Sequence, residues 1–276
     1  MHGIDIVHAI FRVLEEQEFL NNPAYNLGGV VGALNDGQGK VAEHMRRCDS
    51  GFWEYQSDVV IPAGAVGYTL QFFIHSLRSV KTASGQEVWD QNGKNRLGIR
   101  FAHDRLRWDT ALPAAETWTL RYVRHPWDAR YGTLPTQGTG TSSGYLLLPE
   151  ANYSEGLAIE YSAYEGSLGV PAMGFGILEE SSVARQAMIL AYAPQTRMLT
   201  LDRALSPVAA AGNRFLIMEN WQKLWDTLLV YETARLLPNG IETVGPRYAE
   251  AYEAAMRAGR ERQTMTTRRV EYDAEN

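Results

Sequence analysis

The chain has 276 residues, 45% of them hydrophobic, one cysteine and a net charge of -6. That length and composition allow a large buried core in one or two domains, and a single thiol excludes an internal disulfide framework or a cysteine-rich zinc site. The acidic balance argues against a protein that neutralises duplex DNA over its whole surface, leaving room only for a local basic patch.

The N-terminus, MHGIDIVHAIFRVLEEQEFL, has no basic region leading into an apolar run and does not read as a signal peptide. No run of about 18 uncharged apolar residues is found, so a membrane-spanning helix is not expected. Ile6, Val7, Ile10, Val13 and Leu14 recur at spacings of three and four, which predicts a first helix over 4–19. The same period through Leu27, Val30, Val31, Leu34, Val41 and Met45 predicts a second over 26–48. Its five glycines, among them Gly28, Gly32 and Gly37, each cost about 1 kcal/mol relative to alanine and so delay its start or let a neighbouring helix approach closely.

From Phe52 the period becomes two. Trp53, Tyr55, Val59 and Ile61 alternate with polar neighbours as a half-buried strand requires, and Pro62 and Gly64 mark a turn. Alternation resumes at Tyr68, Leu70 and Phe72, then at Leu97, Ile99 and Phe101, and again at Trp118, Leu120 and Tyr122. The Gly, Ser and Thr-rich stretch 136–144 reads as a surface loop dividing two β submodules. Strands are expected after it at 145–149, 157–163, 185–193, 197–202 and 214–218.

Helical periodicity returns after Asn220, through Trp221, Leu224, Trp225, Leu228, Leu229 and Leu236, and Leu237-Pro238-Asn239-Gly240 stops it. A shorter helix is expected from Pro246 to Gly259, burying Tyr248, Tyr252 and Met256. Residues 260–276 have no apolar period. Arg260, Arg262, Arg268 and Arg269 precede Glu271, Asp273 and Glu275, a pattern that predicts a charged arm ordered only by a partner.

The fold class expected is α+β: terminal helix pairs forming a helical bundle, with an inserted antiparallel β domain and an extended C-terminal arm. In this division 1–50 and 218–259 form the discontinuous helical domain, 51–217 the β insertion with its split near 136–144, and 260–276 the arm.

Catalytic patterns fail on their own requirements. Gly140-Thr141-Ser142-Ser143-Gly144 matches a nucleophile elbow, but that motif needs a strand before it and a helix after it, and Tyr145-Leu146-Leu147-Leu148-Pro149 follows. For the same reason the glycines do not form a dinucleotide cradle. His103-Asp104 lacks further ligands at metal spacing, and His8, His44, His75 and His125 fall in separate elements. The neighbouring pairs Glu15-Glu16 and Glu179-Glu180 read as solvated charges rather than as acids facing each other across a cleft. Trp53, Trp118, Trp221 and Trp225 sit on apolar faces and read as core, Cys48 reads as a small buried residue, and Asn152-Tyr153-Ser154 as a chance glycosylation pattern. No catalytic, cofactor or metal residue is therefore expected.

The order of segments resembles the head-to-tail connector (adaptor or neck) proteins of tailed bacteriophages. The resemblance rests on VVGALNDGQGKVAEHMRR (Val30 to Arg47) with Leu34-Asn35, on FWEYQSDVVIPAGAVGYTL (Phe52 to Leu70) with Trp53, Pro62, Gly64 and Tyr68, on Ser182 to Ile217, and on the closing helices of Asn220 to Arg262. Residues 76–131 carry none of it, and the glycine-rich second helix departs from the pattern.

The resemblance implies a ring, about twelve subunits in the family, docked beneath the portal protein and followed by a tail or nozzle protein. Genomic DNA would cross its lumen without sequence-specific contacts. The chain would be assembled in the host cytoplasm and reside at the neck of the virion, without membrane contact. The arm residues Arg260, Arg262, Arg268, Arg269, Val270 and Tyr272 are the expected contacts to the portal or a neighbouring subunit. Two alternatives belong to other classes. A virion-associated peptidoglycan hydrolase or esterase would need a cleft with paired acids or an oriented nucleophile. A glycan- or receptor-binding β protein of the tail would stack exposed aromatics on sugars and would not need terminal helix pairs.

Overall fold

A computed structural model describes residues 3–14, 25–48, 54–70, 74–102, 105–134, 145–147, 173–178, 186–193, 198–207, 209–219 and 223–274. They form a mixed α+β protein of four helices and three antiparallel sheets, with helices toward both chain ends. None of the described helices is long and apolar enough to cross a membrane.

Two compact units divide the chain, and the division differs from the expected one. The first joins residues 1–50 with 126–161 and 171–276, while the second holds 51–125 and 162–170. The second β submodule thus belongs with the helices, and the break falls near residue 125, upstream of 136–144. The reason is strand pairing: β8 (Arg130–Thr133) hydrogen-bonds to β13 (Arg214–Glu219), with Arg214 opposite Thr133 and Ile217 opposite Arg130.

In the first unit α1 (Gly3–Val13) buries Ile6, Val7, Ile10 and Phe11 along one stripe, the spacing that its sequence sets. It packs on α3 (Lys223–Leu236), on β10 (Met173–Ile177) and on β13. Residues 15–19 of the expected first helix lie outside the described residues. The second helix, α2 (Leu27–Cys48), begins where Asn26 accepts a 2.6 Å hydrogen bond from the Gly29 amide, an N-cap that ties down a donor the helix leaves unpaired.

A three-residue turn links α3 to α4 (Gly240–Ala274), with Asn239 in the left-handed region at φ 59°. A Cβ at Gly240 would run into the Ala234 carbonyl, which explains glycine there. The last helix corrects the sequence reading at both ends. It starts at Gly240 with Pro246 inside it, because the Asn239 carbonyl already accepts the Thr243 amide at 3.3 Å and the Thr243 hydroxyl at 3.0 Å. It also continues through Gly259 to Ala274, so residues 260–274 are helix, not an extended arm. Charge and missing apolar period forbid self-burial but not helix formation, since Arg, Glu, Gln and Met are good helix formers.

The sheet of this unit runs β8-β13-β10-β11-β12-β9, with β9 at Tyr145–Leu147, β11 at Gln186–Ala193 and β12 at Met198–Leu201. Phe175 stacks on Phe215 with ring centroids 5.5 Å apart at its centre. Strands expected at 145–149, 185–193, 197–202 and 214–218 are found to within a few residues. The one expected at 157–163 and the loop 136–144 lie outside the described residues. Strand β10 was not expected; its sequence, MGFGI, is buried from Gly174 to Ile177 and shows no alternation.

The second unit contains a four-stranded sheet, β1-β7-β3-β4, and a three-stranded one, β2-β6-β5. The strands are β1 (Glu54–Ile61), β2 (Gly67–Thr69), β3 (Ile74–Thr82), β4 (Glu87–Asp90), β5 (Arg100–Ala102), β6 (Arg105–Arg107) and β7 (Glu116–Arg124). Trp108 and Trp118 pack with centroids 4.8 Å apart, and both indole nitrogens are satisfied: Trp108 donates to the Ala65 carbonyl at 2.9 Å, Trp118 to Glu116 at 3.0 Å. The expected turn is present, with Gly64 at φ 76° donating its amide to the Leu112 carbonyl at 2.8 Å.

Candidate functional site

The helices α2, α3 and α4 meet around one buried carboxylate. Glu232 on α3 is 3% exposed, yet it meets Lys40 of α2 at 3.2 Å and Arg235 at 3.4 Å. It also hydrogen-bonds Tyr248 of α4, whose phenol is pushed up to about 12 by burial and by that carboxylate. Arg235 lies 3.9 Å above the Tyr248 ring, and His44 meets Tyr252 edge to face at 4.9 Å. Burial holds the His44 imidazole below its ordinary value, with Arg47 adding to the effect. Two cations and a phenol saturate the carboxylate, so the cluster serves as a polar clamp joining three helices.

The clamp continues into a tight junction near the end of α2. Cys48 is buried with its sulfur 3.5 Å from that of Met256, and a Cβ at Gly259 would lie 3.0 Å from both Cys48 Cβ and the Trp225 ring. Gly259, expected to end the helix, instead lets α4 pass this crowded point. Both Cys48, the last residue of α2, and Trp225, near the start of α3, meet α4 at Gly259, and α4 continues for fifteen further residues, 260–274. An open groove of about 470 Å³ follows its surface along Tyr252, Met256, Arg257, Arg260 and Glu261. Tyr248, Tyr252 and Met256 are half-buried, less than the sequence pattern implied.

Of the arm residues, Arg260 is exposed on α4 at the mouth of this groove. Arg262, Arg268, Arg269, Val270 and Tyr272 lie on the same continuous helix, but their side chains fall outside those described. The helix brings the six onto one rod about 52 Å long, a relation that charge counting alone did not reveal.

A second polar cluster locks α2 to the segment leading into β8. Asn35 donates to the Ala129 carbonyl at 3.2 Å and accepts the Ala129 amide at 2.7 Å, satisfying both backbone groups of one residue. Gln38 donates to Asn35 at 3.1 Å and to the Trp127 carbonyl at 3.4 Å, while buried Glu219 accepts the Trp127 amide at 3.2 Å. The Leu34-Asn35 pair singled out in the sequence is therefore structural, with Leu34 fully buried and Asn35 pinning the chain as it enters the sheet.

The remaining candidate residues form no single site among the described residues. His8 is half-buried on α1 beside the Leu178 backbone, and His75 meets His125 edge to face at 5.0 Å. His103-Asp104, Glu15-Glu16, Glu179-Glu180, Gly140 to Gly144, Asn152, Trp53 and Trp221 lie outside the described residues. Trp118 and Trp225 are core, at 0% and 3% exposure. Among the described residues no three His, Cys, Asp or Glu side chains converge as metal ligands would. Compared with known proteins, the chain matches no family model and no curated protein.

Proposed function

We propose that the chain is a structural subunit of a head-to-tail connector ring at the neck of a tailed-phage virion, linking portal to tail and enclosing part of the DNA passage. The observation that supports this reading is the continuation of α4 for fifteen residues beyond Gly259, where Cys48 and Trp225 meet it, to Ala274. Fifteen residues of single helix are marginal in water by themselves and gain stability by lying against another surface. A helix set into a groove of a neighbouring molecule is a common way to supply one. We assign that contact to Arg260, Arg262, Arg268, Arg269, Val270 and Tyr272, facing the portal or an adjacent subunit.

The order of sequence motifs shared with connector proteins adds to this, with Asn35 and the turn at Pro62-Gly64 as its best-placed members. Negative-stain imaging of the chain mixed with its portal tests the reading: an added ring is expected, and truncation after Glu261 should abolish it. Portal particles left unchanged by the full chain would overturn it. Clearing of peptidoglycan in a zymogram would favour a hydrolase instead.

A further inference from the structure

One end of the β1-β7 pair is closed by a surface without charge. Residues 59–77 contain no Asp, Glu, Lys or Arg, and neither do residues 110–115. Ile61 stands opposite Glu116 where the two strands end, so the segments that adjoin them there, 62–66 (PAGAV) and 111–115 (ALPAA), come side by side. The Gly64 amide donates to the Leu112 carbonyl at 2.8 Å and the Leu112 amide to the Ala65 carbonyl at 3.2 Å, while the Trp108 indole donates to Ala65 at 2.9 Å. These bonds tie the two segments into one rigid unit, with Leu112 buried.

Eight of the ten residues are exposed, Val66 at 53%, and Val60 of β1 adds a ninth at 64%. The carboxylates that border them in sequence already have partners: Asp58 accepts from Thr119, Glu116 accepts from Trp118, and Asp109 pairs with Arg100. Nine residues of this size present roughly 500 Å², at the upper end of what a monomer leaves open to water. Alanine, glycine and proline supply most of that area and have no rotamer freedom to lose when covered.

We propose that this patch is a contact between two copies of the chain. It has no cation for a phosphate or an anionic headgroup, and no aromatic ring to stack on a sugar or sit in a lipid interface. A different protein is selected chiefly through complementary charge, of which the patch has none. A second copy needs no such selection. Each copy carries a net charge of -6, so two copies approach most readily where neither presents charge. Two such patches together bury about 1,000 Å², the low end for a specific contact, which makes the dimer a reversible one. The inference stands apart from the connector reading, since it concerns the chain alone in solution.

Sedimentation equilibrium of the full chain between about 5 and 500 µM tests it. A monomer-dimer equilibrium is expected, and V60K/V66K should raise its dissociation constant about tenfold or more, because two charges per copy would be covered without partners. Lysine reduces the net negative charge, so the loss would not come from general repulsion between copies. A114K, on the other segment, should act in the same direction and serves in place of V60K/V66K if that variant does not fold. L190K puts the same side chain at an apolar position 54% exposed on β11 and should associate as the parent does. A parent that stays monomeric throughout overturns the proposal, as do folded V60K/V66K and A114K with the parent's dissociation constant, or equal weakening by L190K. Should the parent stay monomeric but float with phosphatidylcholine vesicles, the patch takes lipid and the assignment to a second copy is wrong.

Discussion

A Cβ atom built on Gly37 of α2 would lie 2.6 Å from the Thr233 hydroxyl oxygen of α3, closer than side-chain carbons pack. Glycine at that position sets the spacing of the two helices, and its cost to α2 as an isolated helix is offset by the contact it permits. Lys40, one turn further along α2, then reaches Glu232, the residue preceding Thr233.

Gly37→Ala should lower stability by about 1 kcal/mol, because overpacking outweighs the gain in helix propensity. The Thr233 hydroxyl has no hydrogen-bond partner among the described residues, so removing it is inexpensive. The double variant G37A/T233A should recover the loss, with a coupling of about 1 kcal/mol in urea unfolding. Additive effects would show that the helices do not approach as described.

Asn35→Ala removes both hydrogen bonds to Ala129 and one from Gln38, leaving backbone groups unpaired at the entry to β8. A loss of about 1–3 kcal/mol is expected. Amide exchange at Ala129 should accelerate more than exchange in β11, which lies three strands along the sheet from β8. Unaltered protection at Ala129 would contradict the role assigned to Asn35.

Tyr248 governs the alkaline limb. Its folded phenol titrates near 12, above the ordinary value of 10, so the neutral form is favoured by folding. The stability this contributes is complete below pH 10 and is lost as pH rises toward about 12. Tyr248→Phe should flatten the fall in thermal midpoint across that window and remove one late-titrating tyrosine from the ultraviolet absorbance curve.

The acid limb involves His8 and His44. Both are held below 6.5, chiefly by burial, so the folded state favours their neutral forms. For each, the contribution is present above pH 6.5 and declines as pH falls through the lowered folded value. NMR titration should place both imidazoles below a free histidine, and H44F, which keeps an aromatic ring beside Tyr252, should be less acid-sensitive than the parent. An unchanged acid profile in H44F would count against this account.

Much of the helical framework was legible before any coordinates. The apolar period of α2 marked its limits to one residue, because a buried stripe is a local property of the chain. Strand β3 was not legible: its pairing with β7 is irregular between Ile74 and Ser76 and between Leu77 and Ser79, so Leu77 and Val80 are both buried although three residues apart. A bulge moves side chains between faces and erases the alternation on which sequence reading depends. The buried run of β10 likewise had no polar face to betray it. Of the six residues assigned to partner contact, sequence supplied their charge and clustering, whereas their position on one uninterrupted helix depended on how Gly259 fits against Cys48 and Trp225.

By itself the sequence determined the helices α1, α2 and α3, the regularly alternating strands β1 and β7, the turns at Gly64 and at Asn239-Gly240, and the acidic balance of the whole. Each of these is fixed by neighbours a few positions away. Only the tertiary structure decided that β8 joins β13, that Asn35 holds Ala129, that Glu232 clamps three helices, and that segments 62–66 and 111–115 meet at one end of a strand pair. Those relations join residues distant along the chain through strand register and helix packing, which hydrophobic periodicity constrains to a face but does not assign to a partner.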